Sequence, residues 1–259
     1  MSIRQSLCYP IIKPGNMTID AFFGAAADIG YEAAEMWGRG DDFDQVMKAA
    51  VCHKLRIVSM IGVSSLEKGL NNRENHNLIA GELRTSIDIA ATHGMPGIIC
   101  FSGNRRPFVS EEEAARITAE GLRIVAPYAE KKGVNLNLEL LNSKVDHKGY
   151  QCDRTAWAAS VTEQVNSPRV KLLYDIYHMQ IMEGDIIRTI RENIGRIGHF
   201  HTAGVPGRND MDASQELNYM AIAQAISATG YDLYVGHEFS PKGDALAALK
   251  QTFETFNVK

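Results

Sequence analysis

Short apolar or β-branched runs alternate along this chain with stretches whose apolar residues recur at helical spacing, the pattern expected of successive parallel βα units. Eight such runs stand out: Ser6–Ile12, Ala33–Trp37, Arg56–Ile61, Gly97–Ser102, Val134–Leu141, Lys171–Tyr177, Ile197–Thr202 and Leu233–Phe239. The segments between them carry an apolar stripe. In Thr18–Ile29 it is formed by Phe22, Phe23, Ala26 and Ile29, and in Glu111–Lys131 by Ala115, Ile117, Leu122, Val125 and Ala126. Gly30, Gly94, Gly133 and Gly230 each fall between a helical segment and the next strand, where a left-handed residue closes a helix. A doubly wound open sheet is the rival arrangement. It usually carries a glycine-rich phosphate loop after its first strand, whereas here that strand runs into Tyr9-Pro10-Ile11-Ile12-Lys13-Pro14-Gly15. The expected fold is therefore α/β, a single (β/α)8 TIM barrel spanning residues 1–259 as one domain. Its active site is expected where the strands run out into βα loops.

Composition narrows the class without changing that picture. The chain has 259 residues, 45% of them hydrophobic and 22% charged, and no linker-like stretch divides it. No apolar run approaches the roughly 18 residues of a membrane span, so no membrane partner is expected. Met1-Ser2-Ile3-Arg4-Gln5 does not open a basic-then-apolar leader, and a cytoplasmic location is expected. Cys8, Cys52, Cys100 and Cys152 show no CxxC spacing and are expected to be reduced packing residues. The 27 basic and 31 acidic residues leave a formal charge of −4 with no basic block, so nucleic acid is not an expected partner. A homo-oligomer is left open.

Candidate chemistry lies in the last four strands, each of which ends on a strong ligand: Glu139, Asp175, His201 and Glu238. A carboxylate within an apolar strand costs several kcal/mol unless it is paired, hydrogen-bonded or metal-bound. One such acid is more often a cap or a salt-bridge partner. Four ligands in register at neighbouring strand ends converge on one mouth, and a divalent cation there would relieve their mutual repulsion. Three carboxylates and an imidazole suit one Mg²⁺ or Mn²⁺, with Zn²⁺ or Co²⁺ as substitutes. His199 shares the parity of His201 but lies deeper, while His237 has the opposite parity to Glu238 and is expected to face the outer helices as a hydrogen-bonded core histidine. Glu35, at the end of the second strand, is read as an anchor behind the ligands and not as a catalytic group.

Several segments then carry a resemblance: Leu138-Glu139, Leu173-Tyr174-Asp175-Ile176-Tyr177-His178, His199-Phe200-His201-Thr202-Ala203-Gly204, the following Val205-Pro206-Gly207-Arg208, Glu216-Leu217-Asn218-Tyr219 and Gly236-His237-Glu238-Phe239. With them the whole chain resembles the xylose-isomerase-like barrel superfamily, and within it the hydroxypyruvate isomerase group more than the ketose 3-epimerases. The resemblance implies metal ligation by Glu139, Asp175, His201 and Glu238, catalysis by Glu139 and Glu238, and substrate binding by His178 and Arg208. Two positions depart from the pattern. Some bacterial hydroxypyruvate isomerases carry glutamine where this chain has His201, whereas the ketose epimerases carry histidine there. The epimerases also carry a glutamate soon after the fifth-strand ligand, where this chain reads Ser143-Lys144-Val145-Asp146-His147.

The implied reaction is isomerisation of a small hydroxy-carbonyl compound, such as hydroxypyruvate to tartronate semialdehyde, through an enediolate with one glutamate as base and the other as acid. Alternatives on the same fold are a ketose 3-epimerase, a sugar-acid or polyol dehydratase, a phosphodiester-cleaving endonuclease and a non-catalytic sugar-binding barrel. An endonuclease needs a larger zinc-ligand cluster and a basic surface, and a binding barrel would lack one glutamate. Arg105, Arg106, Arg208 and Lys242 all follow strand ends and are expected to favour an anionic substrate over a neutral sugar.

Overall fold

A computed structural model describes residues 2–258. Eight strands, β1 (Arg4–Cys8), β2 (Ala33–Met36), β3 (Arg56–Met60), β4 (Gly97–Cys100), β5 (Asn135–Glu139), β6 (Val170–Asp175), β7 (Ile197–Thr202) and β8 (Tyr234–His237), form one sheet in the order β3-β2-β1-β8-β7-β6-β5-β4. Every ladder within it is parallel. The two edge strands meet through a parallel bridge between Ile61 and Ile99, and Gly62 N–H donates to Ile99 O at 2.8 Å. The sheet thus curls into the expected barrel, with β1 lying between β2 and β8.

Helices α1 (Tyr9–Ile12), α2 (Ile19–Ile29), α3 (Phe43–Cys52), α4 (His76–His93), α5 (Glu111–Lys132), α6 (Thr155–Val165), α7 (Ile176–Met182), α8 (Ile186–Asn193), α9 (Tyr219–Ala228) and α10 (Ala245–Phe256) lie between and after the strands. Their ends follow local chemistry. Ser110 Oγ accepts from Glu113 N–H at the start of α5, three glutamates fill the first turn, Lys131 and Lys132 the last, and Gly133 closes it at φ 72°. These arrangements satisfy orphan amides and complement the helix dipole at both ends. The apolar stripe of Ile117, Leu122 and Val125 is fully buried.

Two strands stop earlier than their β-forming sequences suggest. Tyr9–Ile12 turns helical because Pro10 occupies the first turn of α1, where its missing N–H costs nothing. Ile176 and Tyr177 belong to α7 because Asp175 Oδ1 accepts from His178 N–H at 3.0 Å, capping the helix directly at the strand end. The four cysteines are free as expected, but Cys52 is exposed instead of packed.

The barrel interior contains large polar groups among its apolar ones: Ser6, Glu35, Asn137 and His199 are all buried. Bare backbone makes the room. A Cβ on Gly236 would stand 2.0 Å from Glu35 Oε1, and one on Gly198 2.3 Å from Asn137 Oδ1. His237 faces outward as its parity predicts, against Phe256 and Tyr31, with its ring nitrogens 2.8 Å from Thr202 Oγ1 and 3.0 Å from Gln5 Oε1.

Candidate metal centre

Glu139 and Asp175 are the last residues of β5 and β6, His201 is the penultimate residue of β7, and Glu238 directly follows β8. The barrel brings one ligand atom of each to within 4.8 Å of the others. All four are buried. His201 Nδ1 lies 3.1 Å from Glu238 Oε2, 3.4 Å from Glu139 Oε1 and 4.0 Å from Asp175 Oδ2. The other nitrogen, Nε2, turns away toward Glu35 Oε2 at 3.0 Å, where His199 Nε2 also arrives at 2.9 Å.

Electrostatics show a cluster short of positive charge. Burial pushes the Asp175 carboxyl up to about 7, helped by Glu238 and Glu139 and opposed by His201 and Arg208. Burial also disfavours charge on His201, yet Glu238 and Glu35 outweigh it and raise the imidazole well above its ordinary value. In Glu238 burial is overcome by His201 and Arg208, which hold its carboxyl well below the usual range. Burial likewise works against Glu35, and His199 and His201 together hold it low. His201 Nδ1 has no hydrogen bond of acceptable geometry. A buried ring nitrogen without a hydrogen bond, facing crowded carboxylates, fits a divalent cation.

Glu238 is the most firmly held of the set. Its Oε1 accepts from Trp37 Nε1 at 2.8 Å and from Cys8 Sγ at 3.7 Å, while Oε2 accepts from Arg208 Nη2 at 2.5 Å. Arg208 reaches it from a pinned loop. Gly207 and Arg208 are both left-handed, at φ 95° and 57°, Gly204 N–H donates to Asn209 O and Ser240 N–H to Arg208 O, each at 2.8 Å.

A cavity of about 240 Å³ opens beside these groups. Its lining includes Glu139, His201, Glu238, Arg208 and His147 together with the apolar Ile61, Leu66, Ile99 and Phe101. His178 is near but does not line it. That residue is fully buried, Nδ1 lies 2.6 Å from Asn142 Nδ2, and Nε2 stands 3.7 Å from Asp175 Oδ2 without a hydrogen bond.

Of the four cations expected at the mouth, only Arg208 lines this cavity. Arg105 is drawn to Glu111 at 3.1 Å and Asp153 at 2.8 Å, Lys242 to Asp212 at 2.6 Å, and Arg106 is exposed. Local acids capture Arg105 and Lys242 before they reach the centre. The sequence reading had not singled out Trp37 as a partner of Glu238. Its signal was weak, an aromatic residue just past the end of β2.

Comparison with known proteins bears on the fold and the family. The profile of the xylose isomerase-like TIM barrel family matches residues 23–256. A Xenopus laevis protein, provisionally named a hydroxypyruvate isomerase, is 30% identical over 248 residues, covering 87% of this chain and 86% of that protein. The 2-oxo-tetronate isomerase of Cupriavidus necator is 32% identical over 158 residues, covering 61% of this chain and 57% of the relative. Among solved structures, one from Brucella melitensis described as an AP endonuclease of family 2 superposes with a TM-score of 0.87 over 100% of both chains, at 22% identity, a likeness of fold alone. The chain belongs to the xylose isomerase-like TIM barrel family.

Proposed function

We propose that this chain, an isomerase or epimerase of sugars or hydroxy acids, is a metal-dependent isomerase of a small anionic hydroxy-carbonyl compound, with hydroxypyruvate and tartronate semialdehyde as the reference pair. The names of its relatives support the class. The observation that carries the anionic substrate is Arg208, the one lysine or arginine among the described residues that lines the cavity, whose buried Nε has no hydrogen-bond partner. That donor matches a substrate carboxylate.

Glu139, Asp175, His201 and Glu238 would hold the cation, Mg²⁺ or Mn²⁺ by their oxygen-rich set, which supplies Lewis-acid polarisation of the substrate carbonyl. One glutamate removes a proton from the hydroxyl-bearing carbon. The electron pair moves into a carbon–carbon double bond as the carbonyl oxygen takes the charge, giving an enediolate. The other glutamate returns a proton to the former carbonyl carbon, the hydroxyl hydrogen passes between the two oxygens, and the aldehyde results. Tyr150 Oη holds the Glu139 backbone by donating to its carbonyl at 3.0 Å, while Trp37 and Arg208 hold the Glu238 carboxylate.

His201 itself favours a second reading, ketose 3-epimerisation, because epimerases share histidine at that place. Incubating metal-loaded protein in D₂O with hydroxypyruvate, tartronate semialdehyde, tetroses, pentoses and keto-hexoses separates the two. Deuterium entering both three-carbon acids at the exchanging carbon supports the isomerase. Exchange confined to C3 of ketoses contradicts it.

A further inference from the structure

We infer that Glu35 is a positioning residue of the metal centre, fixing His201 in the tautomer whose Nδ1 lone pair faces Glu139, Asp175 and Glu238. The inference rests on the metal reading above, and it goes beyond that reading by assigning a role to a residue of β2, away from the four strand ends that supply the candidate ligands.

Hydrogen-bond accounting forces the tautomer. An ionised carboxylate only accepts, so each group that bonds to it must bring a proton. Glu35 Oε1 takes the Ser6 hydroxyl at 2.5 Å, and Oε2 takes His199 Nε2 at 2.9 Å and His201 Nε2 at 3.0 Å. Both imidazoles therefore carry hydrogen on Nε2. A ligating imidazole is neutral, so with hydrogen on Nε2 it is Nδ1 that offers the lone pair, and Nδ1 is the atom aimed at the three carboxylates.

The surroundings are shaped for this carboxylate. Glu35 is only 2% exposed and does not line the cavity, so it reaches the centre only through His201. Gly236, on β8, leaves the space that Oε1 fills. A Cβ there would come within 2.0 Å of that oxygen and 3.0 Å of His201 Cδ2, displacing carboxylate and imidazole together. His199 stands edge-on to His201, ring centroids 5.1 Å apart, and holds the shared oxygen from the preceding inward position of β7.

Carboxylates behind a ligating histidine typically contribute roughly 10–100-fold in metal affinity by orienting the ring and making it more basic. The test uses the full chain, stripped with a chelator and titrated with Mn²⁺ while free Mn²⁺ is followed by electron paramagnetic resonance. Wild type should take up one ion. Glu35→Gln preserves shape while removing the charge, and should weaken Mn²⁺ binding roughly 10–100-fold. Saturating Mn²⁺ should then leave KM for substrate within a few-fold of wild type. Gly236→Ala should weaken Mn²⁺ in the same direction. A packing role alone would lower the melting temperature and leave Mn²⁺ affinity intact, so folded Glu35→Gln with wild-type affinity overturns the inference while the metal reading stands. Wild type that binds no Mn²⁺ overturns both. Should neither variant fold, ¹⁵N-histidine spectra of Mg²⁺-loaded wild type decide. An Nε2–H signal for His201 supports the assignment, and an Nδ1–H signal refutes it.

Discussion

Glu139 and Glu238 are both buried beside His201 Nδ1, but they are held by different means, and their variants should differ accordingly. Each loses a proton-transfer group on conversion to glutamine, so Glu139→Gln and Glu238→Gln should each lower kcat by about 10²-fold or more. Steady-state rates at confirmed metal occupancy measure this, and near-normal turnover by either one contradicts the two-glutamate mechanism. Glu238→Gln should have a further consequence, because Arg208 loses its charged partner at 2.5 Å and a guanidinium is left facing the cavity. Arg208→Ala acts in the opposite sense. A charge-assisted hydrogen bond contributes about 1.5–3 kcal/mol, so kcat/KM for hydroxypyruvate should fall on the order of 10–100-fold. Uncharged ketoses should be affected much less, and an equal loss for both substrate kinds removes the anion-binding role.

Element by element, the readable features were those encoded in neighbouring residues. Thr18 caps α2 through Ala21 N–H at 3.2 Å, and Gly30, Gly94, Gly133 and Gly230 take positive φ where helix closure calls for it. Asp175 stood out as a strand-end acid. Its second role, capping α7, was hidden by the β-forming Ile176-Tyr177 that follows, and a local cap overrode that propensity. Arg105 was misplaced because pairing with Asp153 depends on how the β4–α5 and β5–α6 segments meet, which no spacing along the chain encodes. Trp37 on Glu238 is likewise a contact between residues distant in sequence, joining the ends of β2 and β8 past β1. The clear local signals make a stability prediction that should leave catalysis alone. Ser110→Ala removes the side-chain acceptor for Glu113 N–H and should cost about 1 kcal/mol in urea unfolding. The same variant should retain kcat/KM, since α5 contributes no residue to the cavity lining.

Across the whole molecule, the centre exists because closure brings β2, β5, β6, β7 and the residue after β8 to one place. Crowding buried carboxylates opposes folding unless positive charge joins them. Arg208 supplies part of it, and a divalent ion fits the remainder. Stability and activity should therefore depend on the same cation. An ion that binds the folded chain and not the unfolded one stabilises it by about 2.7 kcal/mol at a hundredfold excess over Kd. For a chain of this length each kcal/mol is worth roughly 2–4 °C, so chelation should lower the melting temperature by about 5–10 °C and abolish turnover. Adding Mg²⁺ or Mn²⁺ should restore both. Asp175→Asn provides the matched control, because it removes one of the mutually repelling carboxylates along with one ligand. Its metal-free form should melt no lower than chelated wild type, and added Mn²⁺ should shift it far less. Calorimetry of both proteins with and without chelator measures the difference. Wild type that keeps its melting temperature and full activity after rigorous metal removal would show that hydrogen bonding alone balances this cluster.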